Sequence, residues 1–124
     1  MKIIKIGASW CSGCLVMKPR WKKIEQAYRL EGCILDSKGY DYDDDETKSL
    51  LLHYSIDKDT ITLPVFIWLD DDDNEYARMN GEVEAELLVD TIQKGLKKES
   101  IPISKEQIMN RLSSQGNWLT RLFS

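Results

Sequence analysis

Cysteine is scarce in this chain, with three in 124 residues, too few for the disulfide framework that holds small secreted domains together. Histidine is scarcer still. A zinc site takes four ligands, and only Cys33 and His53 could join the Cys11/Cys14 pair, at spacings no zinc knuckle uses. Long apolar runs are absent as well: the longest, Leu63 to Leu69, is short and contains Pro64, far from the ~18 residues of a membrane span. The first residues, Met1 to Gly7, are interrupted by Lys5 before the apolar part of a secretion signal can form, and no small-residue cleavage site follows. A reduced, cytoplasmic setting is therefore expected. There is also no excess of bases. With 17 basic and 21 acidic side chains and a formal net charge of −4, a nucleic-acid partner is not expected.

What is present suffices for one compact domain. A chain of this length buries roughly two thirds of its unfolded surface without disulfide or metal. Charge is unevenly placed. Residues 1–29 carry seven bases and one acid, Glu25, for a net of +6, which leaves −10 for the rest. Ten of the acids fall in two short runs, Asp41 to Glu46 and Asp70 to Glu75, which read as solvated turns.

The apolar pattern gives the elements in order. Met1 to Ala8 reads as a strand buried on both faces. Met17, Trp21, Ile24 and Tyr28 form one helical stripe within Leu15 to Leu30, with a kink expected at Pro19. A second strand lies at Cys33 to Leu35 or at Tyr40 to Tyr42, and a second helix at Glu46 to Tyr54, whose acidic first turn suits the helix dipole. Val65 to Leu69, a turn at Asp70 to Asn74, and Tyr76 to Met79 make a hairpin. Glu84 to Lys98 is a third helix. The order β-α-β-α-β-β-α predicts an α/β domain over residues 1–98 on a four-stranded mixed sheet. Residues 99–124 read as a helical extension, begun by a capping box at Ser104 and Gln107. A break is expected at Gly116-Asn117, followed by an apolar stripe of Trp118, Leu119, Leu122 and Phe123. The extension packs on the core or frays, or else docks a partner or a second subunit; Arg111 and Arg121 are scant for a membrane-surface helix.

Chemistry concentrates at Trp10-Cys11-Ser12-Gly13-Cys14, where the first strand gives way to the first helix. A helix N-terminus presents unpaired N–H groups and partial positive charge, which favour a thiolate over a thiol. Cys11 at the cap would be the exposed sulfur and Cys14, one turn inside, the partly covered one. The neighbouring bases should favour the thiolate further. Two intervening residues let both sulfurs share one helix face at disulfide range. This is the arrangement of an attacking thiol with a resolving thiol behind it.

These residues resemble the thioredoxin family. Trp10, Cys11 and Cys14 match its signature after the first central strand, and Pro19 matches its helix-kinking proline. Thr62-Leu63-Pro64-Val65 is similar to the segment whose proline is cis and whose neighbours pair with the substrate backbone. Gly81 corresponds to the glycine lining the substrate groove. The resemblance spans about residues 1–97 and implies a thioredoxin-like fold, catalytic Cys11 and Cys14, and substrate contacts from Trp10, Leu63, Pro64 and Gly81. It further implies protein disulfides as substrates and an external reductant such as a thioredoxin-reductase-like enzyme or glutathione. No bound metal or cofactor is implied, only a redox-active Cys11–Cys14 disulfide.

The chain also departs from that pattern. Lys5 stands where the family has a buried acid, so no carboxylate base is expected beside Cys14. Ser12-Gly13 replaces the usual Gly-Pro, which removes a rigid φ from the first helical turn and implies a different redox potential. The leading strand and helix of the family have no counterpart before Cys11. A glutaredoxin-like oxidoreductase is an alternative, although the Cys-Pro-Tyr-Cys site and Gly-Gly turn of that family are missing. A second alternative is a thioredoxin-like interaction module with little turnover. Cys33 reads as a small, buried apolar residue.

Overall fold

A computed structural model describes residues 1–123, with side chains up to residue 114. The sheet is built around β1 (Lys2–Gly7), which pairs in parallel with β2 (Ser37–Asp41) and antiparallel with β3 (Val65–Leu69); β3 in turn pairs antiparallel with β4 (Glu75–Asn80). The strand order is β2-β1-β3-β4. Burial explains the order. All five residues of β3, Val-Phe-Ile-Trp-Leu, are buried, as a strand covered on both faces requires. The polar Ser-Lys-Gly-Tyr-Asp of β2 takes an edge, where charged and small residues discourage pairing with other chains.

Four helices join these strands: α1 (Ser12–Leu30), α2 (Asp45–His53), α3 (Ala85–Lys98) and α4 (Lys105–Phe123). The architecture is the expected mixed four-stranded α/β fold. Two compact units divide the chain, and the division falls within α1.

The first unit comprises residues 1–19 and 36–83. Its core joins Ile6, Ala8, Cys11, Leu51, Leu63, Val65, Ile67 and Leu69, with Tyr40, Tyr42 and Tyr54 packed at the margin. Thr47, buried on α2, donates its hydroxyl to the Asp41 carbonyl, which ties the start of α2 to the end of β2.

The second unit comprises residues 20–35 and 84–124. Leu88, Val89, Ile92 and Leu96 form the buried face of α3, and Ile108 is the buried anchor of α4. Polar bonds fix the approach to α4. Tyr28 donates to Gln93 at 2.7 Å, and Gln93 donates to the Ile103 carbonyl at 2.6 Å. Ser104 and Gln107 form the expected reciprocal cap. Lys105 bridges Glu86 and Asp90, and Arg111 bonds Glu31 at 2.6 Å.

One alternative is decided and one expectation corrected. Of the two placements for the second strand, Tyr40 to Tyr42 overlaps β2, and Cys33 to Leu35 is not a strand: pairing to β1 begins with Ile3 opposite Ser37, and Ile34 stands exposed. Gly116-Asn117 does not interrupt α4, which runs unbroken to Phe123. A lone glycine costs a helix about 1 kcal/mol and does not forbid it. The stripe at Trp118, Leu119, Leu122 and Phe123 lies outside the residues whose side chains are described. No helix among the described residues is long and apolar enough to cross a membrane.

Candidate functional site

The site starts where β1 ends. Beyond Gly7 the chain turns through Ala8 and Trp10, and the Cys11 N–H bonds the Ala8 carbonyl at 3.2 Å. Helix α1 then starts, with the Leu15 N–H on the Cys11 carbonyl at 3.3 Å. Cys11 is thus the N-cap residue. Its Sγ accepts the Cys14 N–H at 3.2 Å, the bond that a Ser or Asp oxygen takes at other helix starts.

A second segment closes on this cap. The Cys11 thiol donates to the Leu63 carbonyl at 3.5 Å, and the Leu63–Pro64 peptide is cis. Gly13 lets the two segments meet: a Cβ there would lie 3.2 Å from the Leu63 oxygen, 3.6 Å from Pro64 Cδ and 3.7 Å from Glu82 Cγ. Gly81 completes the wall. Its N–H bonds the Pro64 carbonyl at 2.8 Å, and its φ of +75° suits glycine. A Cβ on Gly81 would meet the Thr62 methyl at 3.3 Å.

The structure therefore brings Cys11, Cys14, Leu63, Pro64 and Gly81 to one place, with Trp10 at the rim. Trp10 is 63% exposed. Its indole N–H bonds Asp43 Oδ2 at 2.9 Å, and Tyr42 meets its ring edge-on at 6.0 Å.

As whole residues, the two cysteines differ in cover in the opposite sense to the one expected of their sulfurs. Cys11 is only 9% exposed, whereas Cys14 is half-buried. The cap position is as expected; Cys11 belongs to the apolar cluster with Ala8 and Val65, Cys14 packs against that cluster, and the Leu63 carbonyl meets the first sulfur. Burial, followed by the adjacent Cys11 thiol, pushes the Cys14 pKa up to about 11.

The charges differ too. The bases of α1 start at Lys18, seven residues after Cys11, or ~10 Å along the helix, about one Debye length at 0.1 M salt. Two acidic side chains stand near the cysteines: the Asp43 carboxylate bonds Trp10, and Glu82 has its Cγ beside Gly13. Lys5 is half-buried, paired with Gly39 and Phe66, and two residues before Gly7 on the same strand face.

Sequence reasoning missed three residues. A Cβ on Gly7 would lie 3.3 Å from Cys14 Sγ, so the glycine makes room for the second sulfur; a glycine ending an Ile-rich strand was the available signal. Asp43 and Glu82 had no comparable one.

No protein-family model matches the chain, and no curated protein does. Solved structures do match. Thioredoxin 1 from the thermophilic eubacterium Thermosipho africanus is 23% identical with a TM-score of 0.60, over 81% of this chain and 99% of that one. Fasciola hepatica thioredoxin is 21% identical, with a TM-score of 0.59 and coverage of 76% and 79%. A thioredoxin-fold protein from Helicobacter pylori is 14% identical, with a TM-score of 0.61 and coverage of 98% and 84%. The chain has a thioredoxin-like fold. At these identities the likeness establishes the fold, and the chemistry has to be argued from the site.

Proposed function

We propose that this protein is a thiol–disulfide oxidoreductase of the thioredoxin kind, acting on protein disulfides in a reducing, cytoplasmic setting. One observation carries the reading: Cys11 caps α1 with its sulfur on the Cys14 N–H, while the Leu63 carbonyl beside Pro64 closes on the same sulfur. The N–H is a donor that the anionic sulfur formed during exchange can accept, and the carbonyl is an acceptor for the thiol form.

The Cys11 thiolate attacks one sulfur of a substrate disulfide. A Cys11–substrate S–S bond forms, and the other substrate sulfur leaves as a thiolate and takes a proton. Cys14 then loses its proton and attacks Cys11 Sγ, which expels the remaining substrate thiolate. Two electrons have passed to the substrate, and the protein holds a Cys11–Cys14 disulfide. An external dithiol or glutathione restores it.

Cys11 also times the second step. While free it contributes to the raised Cys14 pKa; once in the mixed disulfide it bears no charge, so Cys14 releases its proton more readily. Proline has no N–H, and the Pro64 carbonyl is taken by Gly81. Leu63, whose carbonyl meets the Cys11 thiol in the substrate-free protein, would pair through its backbone with an extended substrate strand once Cys11 is in the mixed disulfide, beside the exposed Trp10 ring.

Cys14→Ser tests the proposal. Incubated with a disulfide-bonded model protein, it should accumulate a covalent adduct through Cys11 that a reductant releases. If no adduct forms, the oxidoreductase reading fails. The cover over Cys11 favours a second reading, an interaction module with little turnover. In that case the variant with both cysteines changed to serine still retains its partner.

A further inference from the structure

The acidic rim suggests which disulfides the site takes. Asp43 is fixed by its bond to the Trp10 indole, one residue from the attacking cysteine. Glu82 lies on the other wall, its aliphatic stem against Gly13 between the two cysteines. Both side chains are exposed, and neither has a cation within ion-pair distance among the described residues. This distinguishes them from their neighbours, since Asp45 pairs with Lys48 at 2.9 Å and Glu46 stands 4.0 Å from Lys38. Asp44, next to Asp43, is exposed as well.

We infer that Asp43 and Glu82 are specificity-determining residues that select disulfides flanked by lysine or arginine. The inference rests on the oxidoreductase reading and names its substrate class. An extended segment paired with Leu63 would cross between the two carboxylates. A Lys or Arg on either side of its disulfide meets an unneutralised partner, whereas an acidic flank meets like charge. Such pairing acts mainly on encounter and is screened by salt.

The test uses three disulfide peptides that differ only in the flanking residues, which are basic, neutral or acidic. The full chain is turned over with dithiothreitol, an uncharged reductant, and kcat/KM is measured. The basic peptide should exceed the acidic one by about tenfold at low ionic strength, and the ratio should shrink to about twofold near ~0.5 M salt. Asp43→Asn keeps an oxygen acceptor for the Trp10 N–H, and Glu82→Gln keeps the stem against Gly13. Together they should bring the low-salt ratio to about twofold. Equal rates for basic and acidic peptides in the unmodified protein, or a ratio that survives both substitutions, overturns the inference while the neutral peptide still upholds the oxidoreductase reading. Failure to reduce any peptide, the neutral one included, overturns that reading and this inference with it.

Discussion

The two acidic runs have the same make-up, five acids in six residues each, and do different work. Residues 70–75 close the β3–β4 hairpin. Asp70 Oδ1 accepts the N–H groups of Asp72 and Asn74 at 2.9 Å each, an Asx arrangement that holds a turn by local bonds. Asp73 pairs with Lys2 at 3.0 Å, and Glu75 takes Arg78 in two bonds. Residues 41–46 instead link β2 to α2 and set a carboxylate on Trp10. Strand β3 separates the two roles: it starts after Pro64 beside the cysteines and ends at Leu69 before the hairpin turn. Composition makes both runs polar surface, whereas topology makes one a mechanical turn and the other part of a chemical rim.

If the site end is where ionisation matters, the largest effect should be the protonation of Cys14. Burial opposes its anion, so the pKa is raised, and the thiol stays protonated at neutral pH and ionises later than a free one. In a Cys11→Ala, Cys33→Ser background, the alkylation rate of Cys14 should climb with pH past 9. Its midpoint should fall below about 11, since the contribution of Cys11 is gone while burial, the larger cause, remains. No inflection should appear in the carboxylate range. A midpoint at or below the ordinary value of 9.0 would remove the argument.

Gly7→Val should come next. Its Cβ would crowd Cys14 Sγ, with a cost of about 1–3 kcal/mol from overpacking and slower release of the mixed disulfide, read by denaturation and by adduct lifetime. Unchanged lifetime together with unchanged stability counts against the close approach.

At the hairpin end Asp70→Ala removes two exposed turn bonds, for about 1 kcal/mol, and should leave exchange rates within about twofold, because the change lies beyond the far end of β3. A parallel loss of exchange would break the contrast between the two runs. Smallest of all, Asp73→Asn should lower the melting temperature only slightly, as the loss of an exposed pair does, and high salt should erase the difference.

Much of this was legible in the chain. The dense β-branched and aromatic run Val65 to Leu69 marked a strand of a hairpin, and Ile92 with Leu96 marked the buried side of α3. The cysteine pair followed Ile-rich strand residues and preceded a helical stripe, which placed Cys11 at a helix start. Local spacing carries such information because the repeat of an element is set by its own backbone. Less legible was β2, whose five residues have no apolar alternation, and the length of α4, where a glycine invited a break that the helix does not make.

The sequence by itself determined most of the elements, the cap position of Cys11 and the spacing of two thiols one turn apart, since each depends on neighbours within a few residues. Only the tertiary structure decided which cysteine is the more covered residue, that Gly7 and Gly13 make room for the site, and that Asp43 and Glu82 stand beside it. Most of those facts depend on groups distant in the chain, 52 residues apart for Cys11 and Leu63 and 33 for Trp10 and Asp43, and no local pattern records which distant segment will arrive.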